Sequence, residues 1–323
     1  MKWYNNILET IGKTPIVKLN RVPGKVKATI LVKLEFFNPG GSIKDRMAVH
    51  ILREAEKRGE LKPGGTIVEN TSGNTGSAAA MYAAIKGYKM VFTISDKMSQ
   101  NKIDVLKAFG AKVIVCPTAV PYNSPESYYE VAKRIAKETP DAFLINQYHN
   151  KDNIEAHYMT TGPEIWEQTD GKVDYAVIGA GTGGTISGVG KFLKEKKPEI
   201  KIICIDPMGS IYYDYFKHKK FIEPQVYMVE GIGEDMICES MDFKVIDDMI
   251  QVTDKQAFHM ARRLLREEGI FAGGSSGAAV WGAIEVAKKM TEDKIIVAIL
   301  PDTGYNYLNK MYDDEWMKEK GFI

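Results

Sequence analysis

Short β-branched runs and helix-length segments take turns along most of this chain, and that alternation limits its fold more than any other feature. Residues 29–34 (TILVKL) read as a strand leading into a helix that Gly59 stops. Residues 66–69 form the next strand signal, followed by a helix over 75–85 that ends at Gly87, a strand over 89–94, a helix over 102–109 closed by Gly110, and a strand over 112–115. Ser124-Pro125-Glu126 reads as an N-cap with proline at the first helical position, opening a helix to about residue 138. The second half repeats the logic, with strands over 174–178, 201–205 and 295–300 and helices over 183–196 and 254–268, the last closed by Gly269. Parallel strands need long crossovers, and helices supply them. The expected class is therefore α/β, with open parallel sheets covered by helices on both faces.

A chain of 323 residues can bury a large core and is expected to split into two lobes, with the ligand in the cleft between them at the carboxyl ends of strands. Its 44% apolar and 26% charged residues are ordinary for a globular protein. The net charge of +1 removes any global electrostatic case for nucleic acid or an anionic membrane, so a small organic substrate is the default. The amino terminus lacks the apolar run of a secretory signal, and no later stretch is apolar enough to span a bilayer; a cytoplasmic protein is expected. Cys116, Cys204 and Cys238 lie far apart, with no histidine at metal-ligand spacing near them. Buried reduced thiols are expected, without disulfides or a metal.

Within this frame, Asn38-Pro39-Gly40-Gly41-Ser42-Ile43-Lys44-Asp45-Arg46 places a lysine where it is useful. Ser42 followed by Asp45 reads as a capping box, and Ile43, Met47, Ile51 and Ala55 recur every fourth residue beyond it. Lys44 then sits in the first helical turn, where the positive end of the helix dipole disfavours the ammonium form and helps the neutral, nucleophilic amine. A neutral amine can form a Schiff base. Taken alone, the stretch also fits an exposed lysine on a surface helix.

Three further loops precede helices rich in small residues. Thr71-Ser72-Gly73-Asn74-Thr75-Gly76 offers three hydroxyls, an amide and free backbone N–H groups, more than a capped turn requires, and suits a carboxylate. Gly179-Ala180-Gly181-Thr182-Gly183-Gly184-Thr185 can close around a phosphate, with threonine hydroxyls as added donors. The same loop contains Gly179-x-Gly181-x-x-Gly184, and Asp206 stands about 20 residues on, as a nicotinamide dinucleotide site requires. That alternative accounts for neither Lys44 nor the Thr71 loop. Ala272-Gly273-Gly274-Ser275-Ser276-Gly277 reads as a strand-to-helix loop whose serine can meet a ring nitrogen or serve as a plain N-cap. The glycine-rich turn around Gly231 and Gly233 can approach a flat ring with backbone atoms.

A Schiff-base lysine, a phosphate cradle, a carboxylate cradle and a polar partner at Ser275 together describe pyridoxal phosphate holding an amino acid. In these motifs and their order, from Thr14-Pro15 to the carboxyl terminus, the chain resembles the fold type II pyridoxal phosphate enzymes of the cysteine synthase and cystathionine β-synthase family. The resemblance implies a two-lobed, three-layer fold like that of the tryptophan synthase β chain. Residues 46–150 would form the smaller, mobile lobe with the carboxylate loop, and residues 1–45 with 151–323 the larger lobe that holds the cofactor phosphate. It further implies that Lys44 is the Schiff-base and catalytic lysine, that Asn74 faces the ring hydroxyl, and that Thr71, Ser72, Thr75 and Gln147 hold the substrate carboxylate. Gly181, Thr182, Gly183, Gly184 and Thr185 would bind the phosphate and Ser275 the pyridine nitrogen, with Gly231 and Glu234 bordering the substrate. A homodimer acting on amino acids and thiols is expected.

Within the family, the stretches Tyr122-Asn123-Ser124-Pro125-Glu126-Ser127, Asn146-Gln147-Tyr148 and Val229-Glu230-Gly231-Ile232-Gly233, and the tail from Trp316 to Phe322, are most similar to the catalytic core of cystathionine β-synthase. Segments matching the haem-binding and adenosyl-binding regions of animal forms are not found, so neither mode of regulation is expected. Where cystathionine synthases carry an aromatic after Gly-Ile-Gly, this chain has Glu234, either a partner for the incoming nucleophile or a solvated loop charge. The expected reaction is β-replacement on serine or an activated serine, with homocysteine as acceptor. Sulfide as acceptor, giving cysteine, and release of hydrogen sulfide from cysteine are variants of it; a non-catalytic homologue that docks a partner's tail is the alternative of another kind.

Overall fold

Alternating strand and helix signals become two open sheets. The computed structural model describes residues 3–71, 73–96, 98 and 100–323, with Asn101 described by its backbone alone. In chain order the strands are β1 (Ile16–Lys18), β2 (Thr29–Leu34), β3 (Thr66–Asn70), β4 (Lys89–Ser95), β5 (Lys112–Cys116), β6 (Ala142–Leu144), β7 (Tyr175–Gly179), β8 (Lys201–Pro207), β9 (Asp248–Val252) and β10 (Ile295–Leu300). The helices are α1 (Lys44–Arg58), α2 (Asn74–Lys86), α3 (Gln100–Ala108), α4 (Tyr128–Glu138), α5 (Asp152–Met159), α6 (Thr161–Gln168), α7 (Gly184–Lys196), α8 (Tyr212–His218), α9 (Asp254–Glu268), α10 (Gly274–Ala287) and α11 (Asp314–Glu319). Residues 1–11 and 38–153 form one unit, and residues 12–37 and 154–323 the other. This division differs from the expected one: residues 1–11 and 38–45 fall in the first unit, where Lys44 opens an unbroken helix that packs along α2, and the later boundary lies at 153/154 rather than 150/151.

In the first unit the strand order is β5-β4-β3-β6, all parallel. The chain moves outward from β3 through β4 to β5 and then returns to place β6 on the other side of β3. Loops leaving β3 and β6 at their carboxyl ends therefore diverge there, which is where open α/β sheets take ligands. Helix α1 begins at Lys44 as the sequence predicts, but the expected capping box does not form. Ser42 Oγ accepts from the Lys44 N–H at 3.2 Å, and the buried Asp45 carboxylate turns back to the Gly40 N–H. A side chain at Gly40 would collide with Asp45, so glycine is required at that close approach. The helix expected from Ser124 starts instead at Tyr128; Ser127 caps it by accepting from the Glu130 N–H, and residues 124–127 form a turn.

In the second unit the order is β1-β2-β10-β7-β8-β9, parallel except for the antiparallel edge strand β1. Its switch point lies between β7 and β10. Strand β10 reads as a continuous apolar run because it is central: residues 296–300 are at most 1% exposed. Ile296, Ala298 and Leu300 join Val32, Val177, Ile205, Leu264 and Ala283 in the core under α9 and α10, while Val297 and Ile299 alternate to the opposite face. Thr253 and Gln256 close a capping box at the start of α9, and Trp316 and Phe322 pack edge-on against Phe258 to hold the carboxyl-terminal segment on that helix. The segment 272–277, expected as a loop after a strand, follows α9 instead, and from Gly274 it is already the first turn of α10. The three cysteines are buried and free. Among the described residues no helix is long and apolar enough to cross a membrane, and no group of histidine, cysteine and carboxylate side chains could hold a metal.

Candidate active site

The first unit brings Thr71, Asn74, Thr75 and Gln147 together at the β3/β6 switch point. Asn74 is the first residue of α2, half-buried, and follows Gly73 at φ +126°. Thr71, fully buried, shapes the loop: its hydroxyl oxygen accepts the N–H groups of Gly73 and Gly76, both at 3.0 Å, which leaves its proton as the only part open to a ligand. Thr75 donates its hydroxyl to Gln147 Oε1 at 2.9 Å, and Gln147 Nε2 donates to the Asn70 carbonyl at 3.3 Å. The loops after β3 and β6 are thus one hydrogen-bonded ledge. Lys44 is half-buried at the start of α1. Ser72, predicted to hold the carboxylate, lies outside the described residues.

Beneath this ledge stands a residue that the sequence did not single out. Glu69, on central strand β3 and fully buried, accepts from the Asn146 N–H at 2.8 Å and from the Gln147 N–H at 3.5 Å. Burial pushes its carboxyl up to about 8, against the opposing pull of those hydrogen bonds. An isolated Glu in an apolar strand was the available signal, because a buried carboxyl needs a partner from another element.

The second unit builds the glycine loop at the carboxyl end of β7. Gly183 adopts φ +90°, and a methyl on it would come 2.6 Å from the Met241 Cα; a methyl on Gly181 would come 2.8 Å from the Gly231 carbonyl oxygen. Only glycines allow the loop to close this far. Tyr212 donates its hydroxyl to the Gly181 carbonyl at 2.9 Å, and Ser240 Oγ donates to the Thr182 carbonyl at 2.7 Å. With the carbonyls engaged from behind, the first-turn N–H groups of α7 are left for a ligand, since a helix start has no intrahelical acceptor for them. Thr185 is half-buried, and its Oγ1 lies 3.2 Å from His157 Nε2. Tyr212, Ser240 and His157 come from segments far away in sequence and carry no local motif.

Ser275 sits in the first turn of α10, beside the loop that follows β10, where Gly273 donates its N–H to the Asp302 carbonyl at 3.0 Å. It is 3% exposed. Glu234 is half-buried: its N–H donates to Ser210 Oγ at 3.1 Å, and its Oε1 lies 3.8 Å from a methyl built on Gly181. The structure therefore brings Gly231 and Glu234 to the glycine loop. Asp206, the acid of the nicotinamide alternative, is fully buried, accepts from the Tyr213 N–H at 2.9 Å, and is pushed up to about 7 by burial. It serves the start of α8 and is not presented to a ribose.

A glycine cradle at a helix start and a neutral serine, 3% exposed, in the first turn of α10 fit a group that carries both a phosphate and a ring nitrogen. Two open parallel sheets with these features define a pyridoxal phosphate enzyme of fold type II. Residues 7–302 match the family described as pyridoxal-phosphate dependent enzyme, and the chain belongs to it. Over 98% of its length it is 48% identical to a cystathionine β-synthase of Apis mellifera and 46% identical to one of Oryctolagus cuniculus, and it spans 63% and 58% of those proteins. It is 40% identical to cysteine synthase 1 of Emericella nidulans, with 98% of this chain and 87% of that protein covered. The crystal structure of cysteine synthase from Entamoeba histolytica superposes with a TM-score of 0.88 at 40% identity, covering 96% of this chain and 91% of that one. Pyridoxal phosphate is the cofactor, and the nicotinamide alternative falls.

Proposed function

We propose that this protein catalyses β-replacement on serine or an activated serine and condenses it with homocysteine to give cystathionine. The observation that supports β-replacement is Ser275, a neutral hydroxyl residue only 3% exposed at the start of α10. A hydroxyl at the pyridine nitrogen does not hold a proton there as a carboxylate would, so loss of the β-substituent is favoured over transamination. Bound pyridoxal phosphate supplies the sink for the electron pair left when the α-proton departs. Lys44 Nζ would take that proton, Thr71, Ser72, Thr75 and Gln147 would hold the substrate carboxylate, Asn74 would face the ring hydroxyl, and residues 181–185 would hold the phosphate. Higher identity to the two cystathionine β-synthases than to the cysteine synthases supports homocysteine as acceptor. The reading takes the protein to be a cytoplasmic homodimer.

The resemblance in structure to a cysteine synthase favours a second reading, in which O-acetylserine and sulfide give cysteine. Pairing serine and O-acetylserine each with homocysteine and with sulfide separates the two. Turnover of serine with homocysteine is expected; turnover confined to O-acetylserine with sulfide overturns the cystathionine reading. A yellow protein that turns over none of these pairs would instead mark a non-catalytic homologue.

A further inference from the structure

His157 is a buried histidine with no assigned task. It lies on α5, 1% exposed, with Nδ1 2.9 Å from Thr161 Oγ1 and Nε2 3.2 Å from Thr185 Oγ1. Thr161 opens α6 and is fully buried, whereas Thr185 belongs to the glycine loop. Helix α7 presents Gly188 to α5, where a methyl would come 2.8 Å from His157 Cβ, so the two helices approach closely at the imidazole.

A neutral imidazole has one donor and one acceptor nitrogen, so a line of two hydroxyls and one ring can run in either direction. In one direction Nδ1–H donates to Thr161. The Thr161 proton is then buried without an acceptor, because among the described residues that hydroxyl has only His157 as partner. Nε2 would also draw the Thr185 proton away from the loop. An imidazolium would strand the Thr161 proton as well. In the other direction every buried donor is matched, and an unpaired buried donor is the arrangement proteins avoid.

We propose that Thr161 and His157 are positioning residues for the cofactor phosphate: Thr161 Oγ1–H donates to His157 Nδ1, His157 Nε2–H donates to Thr185 Oγ1, and the Thr185 hydroxyl proton is thereby turned toward the phosphate. The chain of donors ends at an anion, where each bond strengthens the next. This rests on the reading of Thr185 as a phosphate contact, and the test separates the two. In the holoenzyme labelled with [15N]histidine, His157 should show Nδ1 unprotonated and Nε2 protonated; the opposite tautomer overturns the directed chain whatever Thr185 contacts. Thr161→Val should weaken binding of pyridoxal phosphate to the apoprotein about 10-fold, the worth of one hydrogen bond to a charged group, and shift the 31P signal of the bound cofactor. Thr161→Ser should restore both. In a Thr185→Val background the Thr161→Val change should add nothing. Unchanged affinity and 31P shift in Thr161→Val, or losses that simply add, overturn the proposal. Unchanged affinity in Thr185→Val alone overturns the phosphate contact on which it rests.

Discussion

Glu69 shows how one buried residue can fix a loop from beneath. Its carboxyl holds the backbone of Asn146 and Gln147, and Gln147 in turn receives the Thr75 hydroxyl. Because its folded value, about 8, lies above the ordinary carboxyl value of 4.5, the folded state keeps a proton that the unfolded chain releases. Its contribution to stability is full below about pH 4.5 and is lost as pH rises through about 8. Glu69→Gln should flatten that fall, read as melting temperature across a pH series; Asp206, raised for the same reason, keeps its own share of the slope in the variant. An identical pH slope in wild type and variant would remove Glu69 from this role. Glu234 belongs to the same scale, a carboxylate next to Gly181 that we propose meets the ammonium of the acceptor. Glu234→Gln should raise KM for homocysteine roughly 10-fold, the worth of one charge-assisted contact, and leave KM for sulfide unchanged, because sulfide brings no ammonium. Equal effects on both acceptors would show that the charge acts elsewhere.

Elements explain what was legible in the sequence and what was not. Strands β2 and β10 and helix α9 fall where the apolar periodicity predicts, since central strands and a helix with a polar start and a glycine stop carry their signals locally. The three-residue strands β1 and β6, the edge strand β9 and the helices α5, α6 and α8 were not read, because their form comes from pairing and packing with distant segments. The glycine loop was legible as a tight turn between a strand and a helix. Its supports, Tyr212, Ser240 and His157, were not, because each is brought in by the fold. Helix packing at Gly188 makes a direct test. Its Cα faces the backbone of α5 without room for a methyl, so Gly188→Ala should cost about 1–3 kcal/mol of stability by overpacking and weaken cofactor binding through the displaced His157. A variant with wild-type melting and affinity would show that α5 yields freely there.

At the scale of the whole molecule, two sheets of different size each reverse strand order once; Thr71 and Gln147 lie at one reversal and the glycine loop at the other. The first unit contains Lys44, Thr71 and Gln147; the second contains the glycine loop, Glu234 and Ser275. Family membership makes pyridoxal phosphate the cofactor, and the account stands on which amine carries it. Reduction of the holoenzyme with borohydride, followed by proteolysis and mass spectrometry, fixes that amine covalently. The account predicts a pyridoxyl phosphate adduct on the peptide containing Lys44 and on no other; an adduct on a different lysine, or none in a protein that holds its cofactor, would contradict it.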